Sequence, residues 1–404
     1  MVERKLVISR LEQMVVTGLF ENAQVVELHC DHPDGQEVEL GNIYVGKVKN
    51  IVPNIGAAFI EIRSKVECYY SLESNPSPLF TNKIGNKPLC IGDELVVQIS
   101  KEASKTKGMM VTSNINFAGK YVILTKGNNH IGVSGKLPEK KRVRLREIMK
   151  RYASEEYGFI VRTNAASTSE QEICNEAERL IAEYERIADI ASSRICYTCL
   201  KRALPPYISH VRNIYQRGSI EIIVEDEEIY QSIRQYLVEE QPEDLDKLIH
   251  YQDTQLPLHK LYRIESFLQA ALNEKVWLNS GGYLVIQPTE ALTVIDVNSG
   301  KCVKKKSDEK SVLKLNLEAA KEAARQIRLR NISGIILIDF VNMEDEQDLN
   351  MLVDEFETML KQDPIPTVFV DITKLQLVEV TRKKVRKPLG ESVNGIYSSK
   401  EYCN

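Results

Sequence analysis

Val294-Ile295-Asp296-Val297-Asn298 and Leu337-Ile338-Asp339-Phe340-Val341-Asn342 are two apolar runs that each end in an aspartate and share a closing pattern. Acidic side chains that follow apolar runs mark the mouth of a parallel sheet, where carboxylate oxygens can hold a divalent cation. Between the two runs the pattern changes. Leu313, Leu317, Ala320, Ala324 and Ile327 recur at steps of three or four, which predicts a helix across residues 311–330. Strand, helix and strand in that order predict a right-handed crossover, with the two strands parallel in one sheet and both carboxylates at its carboxyl edge. A single strand-end aspartate is more often a turn cap than a ligand. The matched pair reverses that preference.

Asp296 and Asp339 are hard oxygen donors, suited to magnesium or manganese. Two carboxylates leave coordination positions for water and a substrate phosphate, and a cation held there would polarise a phosphoryl oxygen and activate water for in-line attack. Asn298, two residues beyond Asp296 on the same strand face, could orient the ligand or the phosphate. The six histidines all lie away from these motifs, so no nucleophilic serine or cysteine constellation competes.

The rest of the chain supplies a context for such a site. Its 404 residues predict two to four domains, and 43% hydrophobic with 27% charged residues is the balance of a globular protein. No apolar stretch approaches the length of a membrane helix, and the start, Met1-Val2-Glu3-Arg4-Lys5-Leu6, lacks the apolar core of a secretory leader, so a cytoplasmic protein without membrane association is expected. Eight scattered cysteines fit reduced thiols. The one close pair, Cys196-Tyr-Thr-Cys199, lacks a second pair to complete a zinc site and predicts buried structural thiols.

Net charge is only −4, but positions 136–151 hold eight basic residues against two acidic ones. Further basic runs are Lys304-Lys305-Lys306 and Arg382-Lys383-Lys384-Val385-Arg386-Lys387. Each by itself fits a solvated face; three of them bracketing an acidic site point to a polyanion such as nucleic acid.

Short strands with turn signals between them are predicted at 43–52, 56–62, 67–72, 94–100 and 109–115, with Gly46 and Gly56 at bends. Five strands in this space fit a small OB-type barrel, a fold that stacks bases of single strands on aromatic side chains beside a basic rim. Phe59, Tyr69 and Tyr70 fall on these strands and Lys107 precedes the last, although Phe59 fits a barrel core equally well. Strands are also expected within 5–40, at 121–124, 158–162 and 218–225, and helices at 167–195 and 226–240. The barrel therefore reads as an insertion in another α/β domain.

Several segments together resemble the catalytic region of the ribonuclease E/G family. They are Ser280-Gly281-Gly282, Thr289-Glu290-Ala291-Leu292-Thr293-Val294-Ile295-Asp296-Val297-Asn298-Ser299, Asn316-Leu317-Glu318-Ala319-Ala320, Ala324-Arg325-Gln326-Ile327-Arg328-Leu329-Arg330 and Gly334-Ile335-Ile336-Leu337-Ile338-Asp339-Phe340. A weaker likeness extends to Ile43-Tyr44-Val45-Gly46-Lys47 and Ala57-Ala58-Phe59. The resemblance implies an endoribonuclease that cuts single-stranded RNA, in ribosomal RNA processing and messenger RNA decay, to leave a 5′-phosphate and a 3′-hydroxyl. It implies that Asp296 and Asp339 bind a catalytic magnesium, assisted by Asn298. RNA contacts fall on Phe59, Tyr69 and Lys107, and a 5′-monophosphate sensor falls on Arg162 and Thr163, where a guanidinium beside a hydroxyl suits a terminal phosphate.

The implied fold is a multidomain α/β arrangement. An RNase H-like domain (1–37 and 214–276) is interrupted by the OB barrel (38–117) and the sensor region (118–213), and a deoxyribonuclease I-like catalytic domain (277–387) and a tail (388–404) follow. The family also implies a homo-oligomer joined by zinc shared through a Cys-x-x-Cys pair after the catalytic domain. Here the approach Leu389-Gly390-Glu391-Ser392 fits, but only Cys403 follows, which argues against the zinc link and for a smaller, ribonuclease G-like member. Two other readings compete: a non-catalytic RNA-binding protein that keeps the barrel, and a deoxyribonuclease or small-substrate phosphoesterase with the same metal chemistry.

Overall fold

A computed structural model describes residues 3–31, 39–103, 108–152, 154–214, 220–300 and 309–393. The chain divides into two compact units, residues 34–216 and residues 1–33 with 217–404.

In the first unit, Ile43–Val52, Ala57–Arg63, Val66–Ser71, Met110–Thr112 and Glu94–Lys101 pair in that order, and the last pairs back to the first, closing an OB-like barrel. Alternation along each strand sends Ile60, Ile62, Cys68, Tyr70, Leu95 and Val97 into the barrel core. Closure demands a tight approach at Gly46, where a Cβ would come within 2.6 Å of the Ile60 methyl and 3.1 Å of a Val97 methyl. A second, four-stranded sheet follows, in the order Asn116–Ala118, Val122–Lys126, Tyr157–Val161, Ile131–Val133.

Two helices pack on that sheet, Glu139–Met149 and Glu170–Ser193. The longer one starts where the sequence dictates. The Ser169 side chain accepts from the Glu172 backbone while Glu172 accepts from the Ser169 backbone, a reciprocal capping box. Deep in the interface, both Glu176 oxygens accept backbone N–H bonds from Lys120, Tyr121 and Val122, which satisfies a buried carboxylate and fixes the entry to the neighbouring strand.

The second unit contains two sheets. The five-stranded one runs Leu248–His250, Ile220–Val224, Arg4–Leu11, Met14–Glu21, Gln24–Asp31; its first three strands are parallel and its last three form a meander. The six-stranded one runs Lys275–Trp277, Tyr283–Pro288, Leu292–Asn298, Gly334–Asp339, Val378–Arg382, Thr367–Ile372. One face of this larger sheet sends Leu284, Ile286, Ile295, Val297, Ile336, Ile338 and Val380 into a core shared with helices Glu309–Leu329 and Glu346–Leu360. The alternate residues point the other way. They include Asp296, Asp339, Trp277, Ile335 and Val368, all exposed, so this sheet has one packed face and one open face.

Helix Glu309–Leu329 bridges the two sheets of this unit. Arg325 donates to the Val25 carbonyl at 2.9 Å, and Arg328 donates to Glu27 at 2.7 Å, both on strand Gln24–Asp31. Burial alone would raise the Glu27 carboxyl, but the His29 hydrogen bond and the Arg328 guanidinium outweigh it and hold it well below the usual range. At the far end of the six-stranded sheet, Arg382 and Asp363 form a buried pair at 2.7 Å, and Arg382 also donates to Asn331 and to the Ile332 carbonyl. A buried pair with its remaining donors satisfied fixes geometry more than it adds stability.

The cysteines of the described residues are free thiols. Cys196 and Cys199 are half-buried rather than fully buried, with Cys199 on a short strand laid along the barrel strand Ile43–Val52. Burial pushes the Cys196 thiol up to about 11, which disfavours the thiolate a metal would need. Among the described residues no group of three or more histidine, cysteine or acidic side chains could hold a metal, and no helix is long and apolar enough to cross a membrane.

Candidate active site

The crossover brings the two aspartate strands side by side and parallel, in the register Leu292↔Ile335, Val294↔Leu337, Asp296↔Asp339. Neighbouring strands lie about 4.8 Å apart, so the two carboxylates stand directly adjacent on the open face. On the other side of Asp296 lies Val285 of the hairpin, and Tyr283 lies opposite Asn298. The Asn298 amide donates to Asp296 Oδ2 at 2.6 Å, which fixes that carboxylate, and the amide oxygen is an acceptor at the same site.

Like charges directly opposite one another in a sheet repel. Burial, and after it the charge of Asp296, pushes the Asp339 carboxyl above the usual carboxylate range. Among the described residues neither aspartate is held in an ion pair with a lysine or arginine. Two adjacent acidic groups beside an amide oxygen form a hard-oxygen donor set that fits magnesium or manganese, which take one or two protein carboxylates and complete their shell with water and phosphate.

Two residues within the motifs hold the end of the Asp339 strand and the turn into the strand beside Asp296. Asn316, fully buried in the helix, donates to the Val341 carbonyl at 2.7 Å and accepts from the Val341 N–H at 3.1 Å, which clamps the chain just after Asp339. Glu318 accepts from the Asn279 N–H at 2.7 Å and the Ser280 N–H at 3.3 Å, which anchors the turn leading into the Tyr283 strand. Gly282 completes that turn because a Cβ there would lie 2.9 Å from the Asn298 carbonyl and 2.7 Å from Leu315. Sequence reasoning quoted Asn316 and Glu318 without a role for either. For Asn316 the signal lay in its register: a polar residue on the buried stripe of an amphipathic helix needs a partner.

The remaining expected residues lie in the other unit. Phe59 and Tyr69 are directly paired across adjacent barrel strands, both half-buried and outside the barrel core, with their rings edge-to-face at 6.4 Å. Lys107 lies outside the described residues, as do Lys304, Lys305, Lys306 and Cys403. Arg162 and Thr163 follow strand Tyr157–Val161. The Arg162 guanidinium donates to the Gly119 carbonyl at 2.6 Å and to Asn213 Oδ1 at 2.7 Å, which aims it without neutralising it through those two contacts. The Thr163 hydroxyl shares a 2.8 Å hydrogen bond with Ser134. The basic stretch at 136–151 forms helix Glu139–Met149 and its flanks, and part of its charge is spent locally, as Arg142 on Glu139 and Arg151 on Glu170.

A sequence model of the ribonuclease E/G family matches residues 116–385 of this chain. Ribonuclease G of Haemophilus influenzae is 31% identical over 388 residues, covering 92% of this chain and 78% of that protein. Ribonuclease G of Escherichia coli K12 is 31% identical over 377 residues, covering 90% of this chain and 76% of its own length. Ribonuclease E of Nostoc sp. is 34% identical over 382 residues, covering 92% of this chain but 55% of that longer protein. A match of this extent, running through the paired aspartates and the residues that clamp them, means that the chain belongs to the ribonuclease E/G family.

Proposed function

We propose that this chain is a magnesium-dependent endoribonuclease, able to use manganese, that hydrolyses phosphodiester bonds of single-stranded RNA to 5′-phosphate and 3′-hydroxyl ends, in ribosomal RNA processing and messenger RNA decay. The observation that carries the reading is the in-register pairing of Asp296 with Asp339, with Asn298 bonded to the first. Relatives that bear the names ribonuclease G and ribonuclease E support RNA as the substrate.

In this reading Asp296 and Asp339 hold the cation. When bound, it supplies neutralisation of the phosphodiester charge and a more acidic water for in-line attack. Asn298 keeps Asp296 in one rotamer and presents its amide oxygen to the same site. Asn316 holds the end of the Asp339 strand and Glu318 holds the turn into the Tyr283 strand that flanks Asp296, and placement within a fraction of an ångström is what such a site requires.

Phe59 and Tyr69 provide a stacking surface for bases, with Lys107 contributing charge. Arg162 and Thr163 bind a 5′-monophosphate, for which a guanidinium already oriented by neutral acceptors is well prepared. The domain reading follows: an RNase H-like domain from 1–37 and 214–276, the barrel at 38–117, the sensor region at 118–213, a deoxyribonuclease I-like catalytic domain at 277–387 and a tail at 388–404. A cytoplasmic homo-oligomer completes the proposal.

The test is direct. The purified chain with magnesium should cut a short 5′-monophosphorylated oligoribonucleotide internally, a chelator should stop it, and DNA of the same sequence should stay intact. RNA that binds but is never cut would leave a non-catalytic RNA-binding protein, and equal cutting of DNA would point to a general phosphodiesterase.

A further inference from the structure

The open face of the six-stranded sheet carries a second cluster that the carboxylate chemistry does not use. Trp277, 64% exposed, lies directly opposite Tyr283, and Tyr283 lies directly opposite Asn298. Directly paired positions project from the same face, so indole, phenol and amide form one row across three strands. The row beside it runs Lys275, Val285, Asp296, Asp339. With strands about 4.8 Å apart, Tyr283 stands about 5 Å and Trp277 about 10 Å from Asn298 along the sheet, within the reach of one or two nucleotides.

The cluster is organised as well as near. The two rings meet at 5.2 Å between centroids with planes 60° apart, and the Lys275 ammonium sits 4.1 Å from the Trp277 centroid and 3.6 Å from that of Tyr283. Cation–π contact with two rings holds the ammonium in place while leaving it exposed. An indole left largely in water forfeits the burial that usually stabilises this side chain, and it offers a flat surface to a ligand.

We propose that Trp277, Tyr283 and Lys275 form a subsite that stacks the base and grips the phosphate of a nucleotide next to the scissile linkage in single-stranded RNA. The proposal rests on the reading of Asp296 and Asp339 as the cleavage site. A base needs a π-face, which the indole presents, and its phosphate needs a positive charge, which Lys275 supplies beside an otherwise acidic centre. Stacking of this kind tolerates every base, so the subsite holds the strand without dictating its sequence. The fixed ammonium between the rings and the continuity with the carboxylate row favour a nucleic-acid strand over an apolar protein surface.

Trp277 is the single tryptophan of the chain, so its fluorescence reports on this subsite alone. In the Asp339→Asn variant with chelator present, titration with a short single-stranded RNA should quench that fluorescence saturably. The same RNA with an abasic residue next to the mapped cleavage position should not. In the wild-type chain with magnesium, Trp277→Ala should raise KM about tenfold with kcat unchanged, and Trp277→Phe should restore most of the loss. The abasic substrate should erase the difference between Trp277→Ala and wild type, which a merely structural defect would not do. Cleavage without quenching, or an unaltered KM in Trp277→Ala, would overturn the subsite alone. Quenching in a chain that cuts nothing with magnesium would overturn the carboxylate reading and, with it, the position beside a scissile linkage.

Discussion

A directly opposed pair of side chains sits on adjacent strands in both the barrel and the six-stranded sheet, and the two pairs have opposite signs. Phe59 and Tyr69 meet edge-to-face, an arrangement worth about 0.5–1.5 kcal/mol beyond the area it buries. Asp296 and Asp339 repel. An attractive pair is ambiguous, because packing alone can account for it. A repulsive pair in the middle of a well-packed sheet serves no structural end, and the charge it concentrates is explained by something that neutralises it. The closed barrel spends its inward residues on a core and has only outward positions left for contact, whereas the open sheet puts its chemistry on a whole uncovered face.

The contrast is broken most sharply by removing one member of the repulsive pair. Asp296→Asn or Asp339→Asn should lower the cleavage rate about a thousandfold or more, roughly 4 kcal/mol of transition-state stabilisation, while RNA affinity in a filter or anisotropy assay stays near wild type. Near-normal turnover in either variant would remove the metal assignment. The attractive pair should behave in the reverse way. Phe59→Ala or Tyr69→Ala should weaken RNA binding by roughly 1–3 kcal/mol each and leave the saturated cleavage rate intact; unchanged affinity would return both rings to a purely structural role.

Arg162, which donates to the Gly119 carbonyl and to Asn213, extends the comparison to the sensor region. Arg162→Ala should reduce the rate ratio of 5′-monophosphorylated to 5′-triphosphorylated RNA toward one, a loss of about tenfold in discrimination, and a ratio equal to wild type would show that it reads no 5′ end.

The smallest effect concerns stability in the presence of chelator. Because the folded-state pKa of Asp339 is raised, its contribution favours the fold below the ordinary carboxylate range and is lost as pH rises through the raised value. Asp339→Asn should therefore be more stable than wild type at neutral pH, by about 0.5 kcal/mol for so exposed a pair, and the gap should close in acid. A gap that widens in acid, measured by denaturant titration at several pH values, would contradict the repulsion on which the comparison rests.

Much of this was legible along the chain because periodicity is local. The alternation of Ile295 and Val297 with Asp296 and Asn298 announces a strand with one packed face, and the stripe from Leu313 to Ile327 announces the helix that covers that face. Helix starts were equally local, since Ser169 with Glu172 and Asp226 with the Ile229 N–H are contacts within a single turn. The barrel strands, with Gly56 in the turn between the first two, could be read for the same reason.

Sequence alone determined which residue types end which strands, and so the presence of two acids and one amide with the capacity to hold a hard cation. Only the tertiary structure decided that Asp296 faces Asp339 in register, that Asn316 clamps the chain after Asp339 while Glu318 anchors the turn before Tyr283, and that Trp277 and Tyr283 extend the row begun by Asn298. The reason is that strand register is set by long-range pairing: a slip of one residue would send every one of these side chains to the opposite face without changing a letter of the sequence.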